Sequence, residues 1–137
     1  MAPHQQFDSG PAPLDSLLAR AGELAGLDPR EVAVDVLREA LVVFAGLDGR
    51  LEAEAMRWVS GFDSVCVAGV DGANTTEAWV RSRTELSPDH ASAWVKRSRD
   101  LRSCPHVAAA LASGTLGSAK VKALLAARRT FPELFAE

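Results

Sequence analysis

Three prolines stand where a helix start accommodates them: Asp28-Pro29-Arg30-Glu31, Leu86-Ser87-Pro88-Asp89 and Ser103-Cys104-Pro105. Proline has no amide hydrogen and a fixed φ, so the first helical position suits it, where the missing donor had no partner anyway. Asp28 and Ser87 are side chains that cap such a start, and Glu31 and Asp89 place negative charge in the first turn. Downstream of each proline, apolar residues return every three or four positions. The only short β-branched run is SVCVAGV at 64–70, and no second strand exists for it to pair with. The chain therefore reads as all-α, and SVCVAGV as a helix end or an extended connector.

The periodicity divides the 137 residues as follows. Residues 1–13 hold Pro3, Gly10, Pro11 and Pro13 among polar residues and read as a disordered tail, leaving 14–137 as a single helical domain. Leu14, Leu17, Leu18, Ala21, Leu24 and Ala25 mark a first helix that Gly26 stops. Val32, Val36, Leu37, Ala40, Leu41 and Phe44 mark a second. At Gly46 and Gly49 it either continues or restarts with Asp48 as cap; beyond, Leu51, Ala55, Trp58, Val59 and Phe62 form one stripe. If continuous, residues 29–61 make a rod of roughly 50 Å. Short helices are expected from about Thr76 to Arg83, from Pro88 with Ala91, Trp94, Val95, Ser98 and Leu101 on one face, from Pro105 to Gly114, and after Gly117. Trp94 is expected in the core of the second of these. The predicted architecture is a long helical hairpin packed against a cluster of shorter helices with helix-turn-helix-like units.

A weak internal echo lies at an offset of thirty residues. TELSPDHASAWV and GTLGSAKVKALL match Leu86 with Leu116, Ala93 with Ala123 and Trp94 with Leu124. The echo fits two helix-turn-helix-like units, and it fits equally a common way of stacking short helices.

Charge is distributed unevenly. The net −3 is the sum of −7 over residues 1–73 and +4 over residues 74–137. A basic second half meets an anion, meets the acidic first half of another copy, or is a set of ordinary solvated faces. Within it Arg81, Arg83, Lys96, Arg97, Arg99, Lys120, Lys122 and Arg129 are the candidate nucleic-acid contacts, which would pair with phosphates and carry no sequence information. Ala119, Ala123, Ala126 and Ala127 give the last helix a small-residue face that another helix, from this or another protein, could approach closely.

Other chemistry is not supported by spacing. Cys66 and Cys104 form no metal pair and no disulfide framework; His4, His90 and His106 stand in no HxxxH or HExxH relation. Glu52, Glu54, Asp63 and Asp71 read as a solvated acidic face. No catalytic residue, metal ligand or cofactor site is predicted. No apolar run approaches the ~20 residues of a membrane span, and no signal peptide is visible, so a cytoplasmic location is expected.

The segment Ala78-Trp79-Val80, followed by Leu86-Ser87, by an arginine-rich helix with Ala91, Val95 and Leu101, by Ala109 to Gly114 and by a terminal helix, resembles domain-of-unknown-function family 222. That family supplies the helical region preceding HNH endonuclease domains in actinobacterial proteins. RLEAEAMRWV at 50–59 is similar to the family's long helix, and the likeness spans about residues 14–130. Gly117 departs from it, standing where the family usually offers a serine cap. The nuclease motif is absent: Asn74 is the sole asparagine, and no two histidines form a motif. The chain thus reads as a fragment, a truncated paralogue or an isolated module. The resemblance implies a non-catalytic helical module of an HNH-type endonuclease system that assists DNA binding or orientation, with weak, non-specific contact to duplex DNA. The alternative is a protein-interaction or oligomerisation module without nucleic-acid contact.

Overall fold

The computed structural model describes residues 11–65 and 75–135, and these are helical almost throughout. Six α-helices follow one another among them: α1 (Ala12–Ala25), α2 (Val34–Val65), α3 (Thr76–Arg83), α4 (Pro88–Arg102), α5 (Pro105–Ser113) and α6 (Ser118–Thr130). No strand occurs among the described residues. The chain divides into two compact units, Met1–Leu41 and Val42–Glu137. Most of SVCVAGV and the turn that follows it lie outside the described residues, as do Cys66, His4, Asp71 and all but the end of the expected tail; Pro13 is already inside α1.

The local signals act as their chemistry requires. Ser87 accepts a hydrogen bond from the His90 amide and Thr75 from that of Ala78, each satisfying a first-turn donor of its helix. Pro88 and Pro105 open α4 and α5. Pro29 does not open α2. Asp28 caps a single 3-10 turn over Pro29–Glu31, and Val32 then takes an extended backbone. Its branched side chain tolerates that conformation well, and the long helix begins at Val34. From there α2 runs through Gly46, Asp48 and Gly49 without a restart, 32 residues or about 48 Å.

In the first unit, α1 carries its predicted leucine stripe yet buries none of its residues. The core belongs to the second unit. Ala53, Met56 and Val59 of α2 are buried with Val80, Ala91, Val95, Leu101, Leu111, Val121 and Leu125. Leu111 and Val121 are fully enclosed, each worth about 1.5–3 kcal/mol relative to exposure. Small residues on α2 allow this packing: a Cβ built on Gly49 would stand 3.5 Å from Leu111 Cδ1 and 3.8 Å from the Ser118 nitrogen.

Two face assignments differ from expectation. On α2 the buried positions are Gly49, Ala53, Met56 and Val59; of the predicted stripe Val59 is buried and Ala55 packs on the core, whereas Leu51 and Trp58 are 44% and 57% exposed. The helix has two apolar faces, and the one with the smaller side chains took the core because it permits closer approach. On α4, Ala91, Val95, Ser98 and Leu101 are buried as expected, and Trp94 alone departs. Trp94 is only half-buried at the core's margin, edge-on to His90 with ring centroids 6.0 Å apart. An indole would hold α4 too far from its neighbours at a position where a valine fits.

The echo at thirty residues is structural. α3 and α4 are separated by Thr84–Ser87, α5 and α6 by Gly114–Gly117, four residues in each case. Leu86 and Leu116 both pack on the core from these turns. Ala91 and Val121 are buried at matching positions, as are Val95 and Leu125. The second turn needs Gly114, whose φ of 79° is left-handed; Arg50 adds a hydrogen bond to the Ser113 carbonyl at 3.2 Å.

Candidate nucleic-acid interface

The eight basic residues singled out by sequence do not form one patch. Arg81 and Arg83 lie in the last turn of α3, Arg99 in that of α4 and Arg129 in that of α6. Cations are favoured at helix C-termini by the backbone dipole, so these four positions have a local explanation.

Carboxylates engage three of the eight. Arg97 pairs with Glu52 across α4 and α2, with both side chains about four-fifths buried, and Ser118 at the start of α6 donates to the same carboxylate. Arg99 donates to Asp63 through Nε at 3.1 Å and Nη2 at 2.9 Å. Arg102 adds a third guanidinium contact to Asp63 at 3.1 Å, and the buried Thr76 hydroxyl donates to it at 2.7 Å. Asp63 thereby ties α2 to α3 and α4. The Arg99 guanidinium, then the Thr76 hydroxyl, hold its carboxyl far below the usual carboxylate range, and Arg99 is raised in return. Arg129 reaches Asp100 at 3.4 Å.

Two acidic residues expected to face solvent therefore point inward. Glu52 and Asp63 are anchors between helices, invisible in sequence because their partners lie 45 and 36 residues away. Glu54 conforms to expectation, exposed and paired with Arg57 one turn on. Among the described residues no group of His, Cys, Asp and Glu is arranged to hold a metal ion.

The structure brings four of the eight together. Lys96 and Arg97 of α4 and Lys122 and Arg129 of α6 line one cleft of about 190 Å³, with Ala93, Asp100 and Leu125 completing its walls. Asp100 is its single acidic wall residue, and it is engaged by Arg129. Lys96 and Lys122 are exposed and make no ion pair among the described residues. Lys120 stands away from this cleft, about 200° round α6 from Lys122.

The α6 lysines are placed against the local field. Lys120 lies in the first turn and Lys122 just past it, near the positive end of the helix dipole, and that turn has no acidic residue. Gly117 supplies no side-chain cap there. The negative charge at this helix start comes from α2, through the Glu52 carboxylate that accepts from the Ser118 hydroxyl. On the same helix Ala119, Ala123 and Ala126 are exposed and Ala127 is half-buried, so the small-residue face is open as expected.

A larger, apolar groove of about 780 Å³ lies elsewhere in the second unit, between α2, α4 and α5, with Met56, Trp58, Phe62 and Leu101 among its walls. No sequence signal pointed to it, since it depends on how three helices cross.

Among the described residues no helix is long and apolar enough to cross a membrane. No curated protein and no solved structure matches the chain. A family model does, and its bounds agree with the architecture. The match to the domain of unknown function DUF222 runs over residues 38–134, nearly the same stretch as the Val42–Glu137 unit that contains the core, the Asp63 anchor and the basic cleft. With most of the chain and its whole core inside that match, the protein belongs to the DUF222 family.

Proposed function

We propose that this chain is a non-catalytic helical module that holds the phosphate backbone of duplex DNA weakly, in support of an HNH-type endonuclease. The observation that carries the reading is the convergence of Lys96, Arg97, Lys122 and Arg129 on one cleft between α4 and α6. Two lysines there keep their charge unneutralised, and phosphate contact is the chemistry such a cleft performs best. The nuclease link comes from the family resemblance.

The contact is non-specific, because lysine ammonium groups on phosphates read no base edges. It is also weak. Arg97 and Arg99 are held by Glu52 and Asp63, and the −7 of residues 1–73 repels phosphate within a Debye length of about 8–10 Å. Duplex binding is expected at low salt only, with micromolar affinity at best. The slope of log K against log salt should be about −1.8, roughly −0.9 for each of two phosphates.

Fluorescence anisotropy of a labelled duplex across a salt series tests this. Lys96→Gln with Lys122→Gln should remove most of the binding and flatten the slope towards zero while leaving the helical spectrum unchanged. Binding that persists with an unchanged slope in the double variant rejects the cleft as the site.

A further inference from the structure

We infer that Asp100 holds Arg129 back from phosphate, so that the cleft between α4 and α6 works with two cations and keeps a third in reserve, a role that rests on the phosphate reading of that cleft. Of the four basic residues in its walls, Lys96 and Lys122 are exposed and make no ion pair among the described residues. The two arginines are both engaged, but not alike. Arg97 and Glu52 are each about four-fifths buried, and Ser118 donates to the same carboxylate. A phosphate would have to break a desolvated pair to reach that guanidinium. Arg129 meets Asp100 through Nη1 alone, at 3.4 Å, with side chains 46% and 25% exposed. That distance is longer than the roughly 2.7–3.2 Å of a good N–H···O bond. An exposed pair of this kind contributes little in water, while a phosphate offers the planar guanidinium two oxygens at once. Arg129 is therefore the engaged cation of the cleft that can change partner.

The surroundings allow the exchange. Leu125, one turn before Arg129, is buried in the core. The neighbouring Arg128 donates through Nη1 to the Ser103 hydroxyl at 3.0 Å. These contacts hold the end of α6 to the end of α4 without Arg129, so its guanidinium can swing while the helix stays in place. Asp100 is the only carboxylate in the cleft wall, and it lies one turn after Lys96 on α4. It acts against binding twice. It occupies Arg129, and its own charge repels the phosphate that the lysines attract. The cleft is thereby set to a weak contact, and loss of the Asp100 charge converts it to a site with three available cations.

The salt dependence of duplex binding by the full chain tests this role. Asp100→Asn should tighten binding at low salt about fivefold or more, the effect of one unit charge at contact distance in water. It should also steepen the slope of log K against log salt from about −1.8 to about −2.7, one further contact at roughly −0.9. Asp100→Asn combined with Arg129→Gln should return the slope to about −1.8. Glu54→Gln makes the same change of net charge and frees Arg57, which lies outside this cleft, and should leave the slope where it was. On addition of duplex, the side-chain Nε–H signal of Arg129 should move in the Asp100→Asn protein and stay in the wild type. If the wild type binds and Asp100→Asn is no steeper, the role of Asp100 falls and the phosphate reading stands. The same holds if the double variant is as steep as the single one, if Glu54→Gln steepens the slope equally, or if the Arg129 signal moves alike in both proteins. Failure of both wild type and Asp100→Asn to bind at the lowest salt overturns the phosphate reading and this role together.

Discussion

α4 and α6 are the same device used twice. Each follows a short helix and a four-residue turn, and each buries its fourth and eighth residues, Ala91 and Val95 in one, Val121 and Leu125 in the other. What differs is the use of charge. On α4 the arginines are spent inward, with Arg97 on Glu52 and Arg99 and Arg102 on Asp63. On α6 the lysines are unpaired, and Lys122 turns towards the cleft it shares with Lys96. One helix is clamped to α2 by its cations, and the other offers cations outward. A count of basic residues therefore overstates what a phosphate can reach, and the useful quantity is the number whose charge remains unanswered.

The largest expected effect tests the part the two helices have in common. Leu125→Ala should cost about 4 kcal/mol, within the range for truncating a buried leucine, measured by denaturant unfolding. Trp94→Ala, at the core's margin, should cost distinctly less. If the order reverses, the buried register of the two helices is wrong.

The clamp comes next. Glu52→Gln should cost about 3 kcal/mol, the lower end of the loss when one partner of a buried pair is removed, because Arg97 and the Ser118 hydroxyl both lose their acceptor charge. Lys122→Gln should change stability by less than about 0.5 kcal/mol, as a surface position does. Equal effects would erase the distinction between α4 and α6.

Acid unfolding separates Asp63 from exposed carboxylates. Its folded pKa is depressed by Arg99 first and Thr76 second, so its contribution is complete above the unfolded value of 3.8 and declines as pH falls from there towards the folded value. Asp63→Asn should lower stability at neutral pH and flatten the loss below about pH 4. A wild-type and variant difference that stays constant between pH 6 and pH 2 would show that the carboxylate's charge is not what α3 and α4 hold.

The smallest effects concern the helix starts. Ser87→Ala should cost about 1 kcal/mol through loss of the bond to the His90 amide. Gly117→Ser should gain a few tenths of a kcal/mol, since a Cβ there meets nothing within 4 Å and the backbone is ordinary extended. The gain would come at the turn where α6 departs from its counterpart.

What the sequence disclosed follows a physical line. Helix starts at Thr76, Pro88, Pro105 and Ser118 were legible because caps, prolines and Gly114 act within four residues of themselves. The inward face of α2 was not, because both of its faces are apolar and the close approach of α5 and α6 at Gly49 decides between them. Val95 could not be told from Trp94, which sits one residue away on the same broad stripe. The roles of Glu52 and Asp63 were hidden altogether, since ion pairing across helices leaves no periodic trace. For the same reason the eight basic candidates could be named from sequence but not sorted into engaged and available. That sorting required partners on α2, and it brought four of them to one cleft while leaving Arg81, Arg83, Arg99 and Lys120 outside it.

Amide chemical-shift mapping with a short duplex at low salt tests the central claim most directly. Perturbations should gather on residues 93–100 of α4 and 118–129 of α6, leave the face of α2 around Leu51 unmoved, and fade as salt is raised. Shifts centred on the arginines at the end of α3, or no shifts at the lowest salt, would contradict the assignment of this cleft to phosphate.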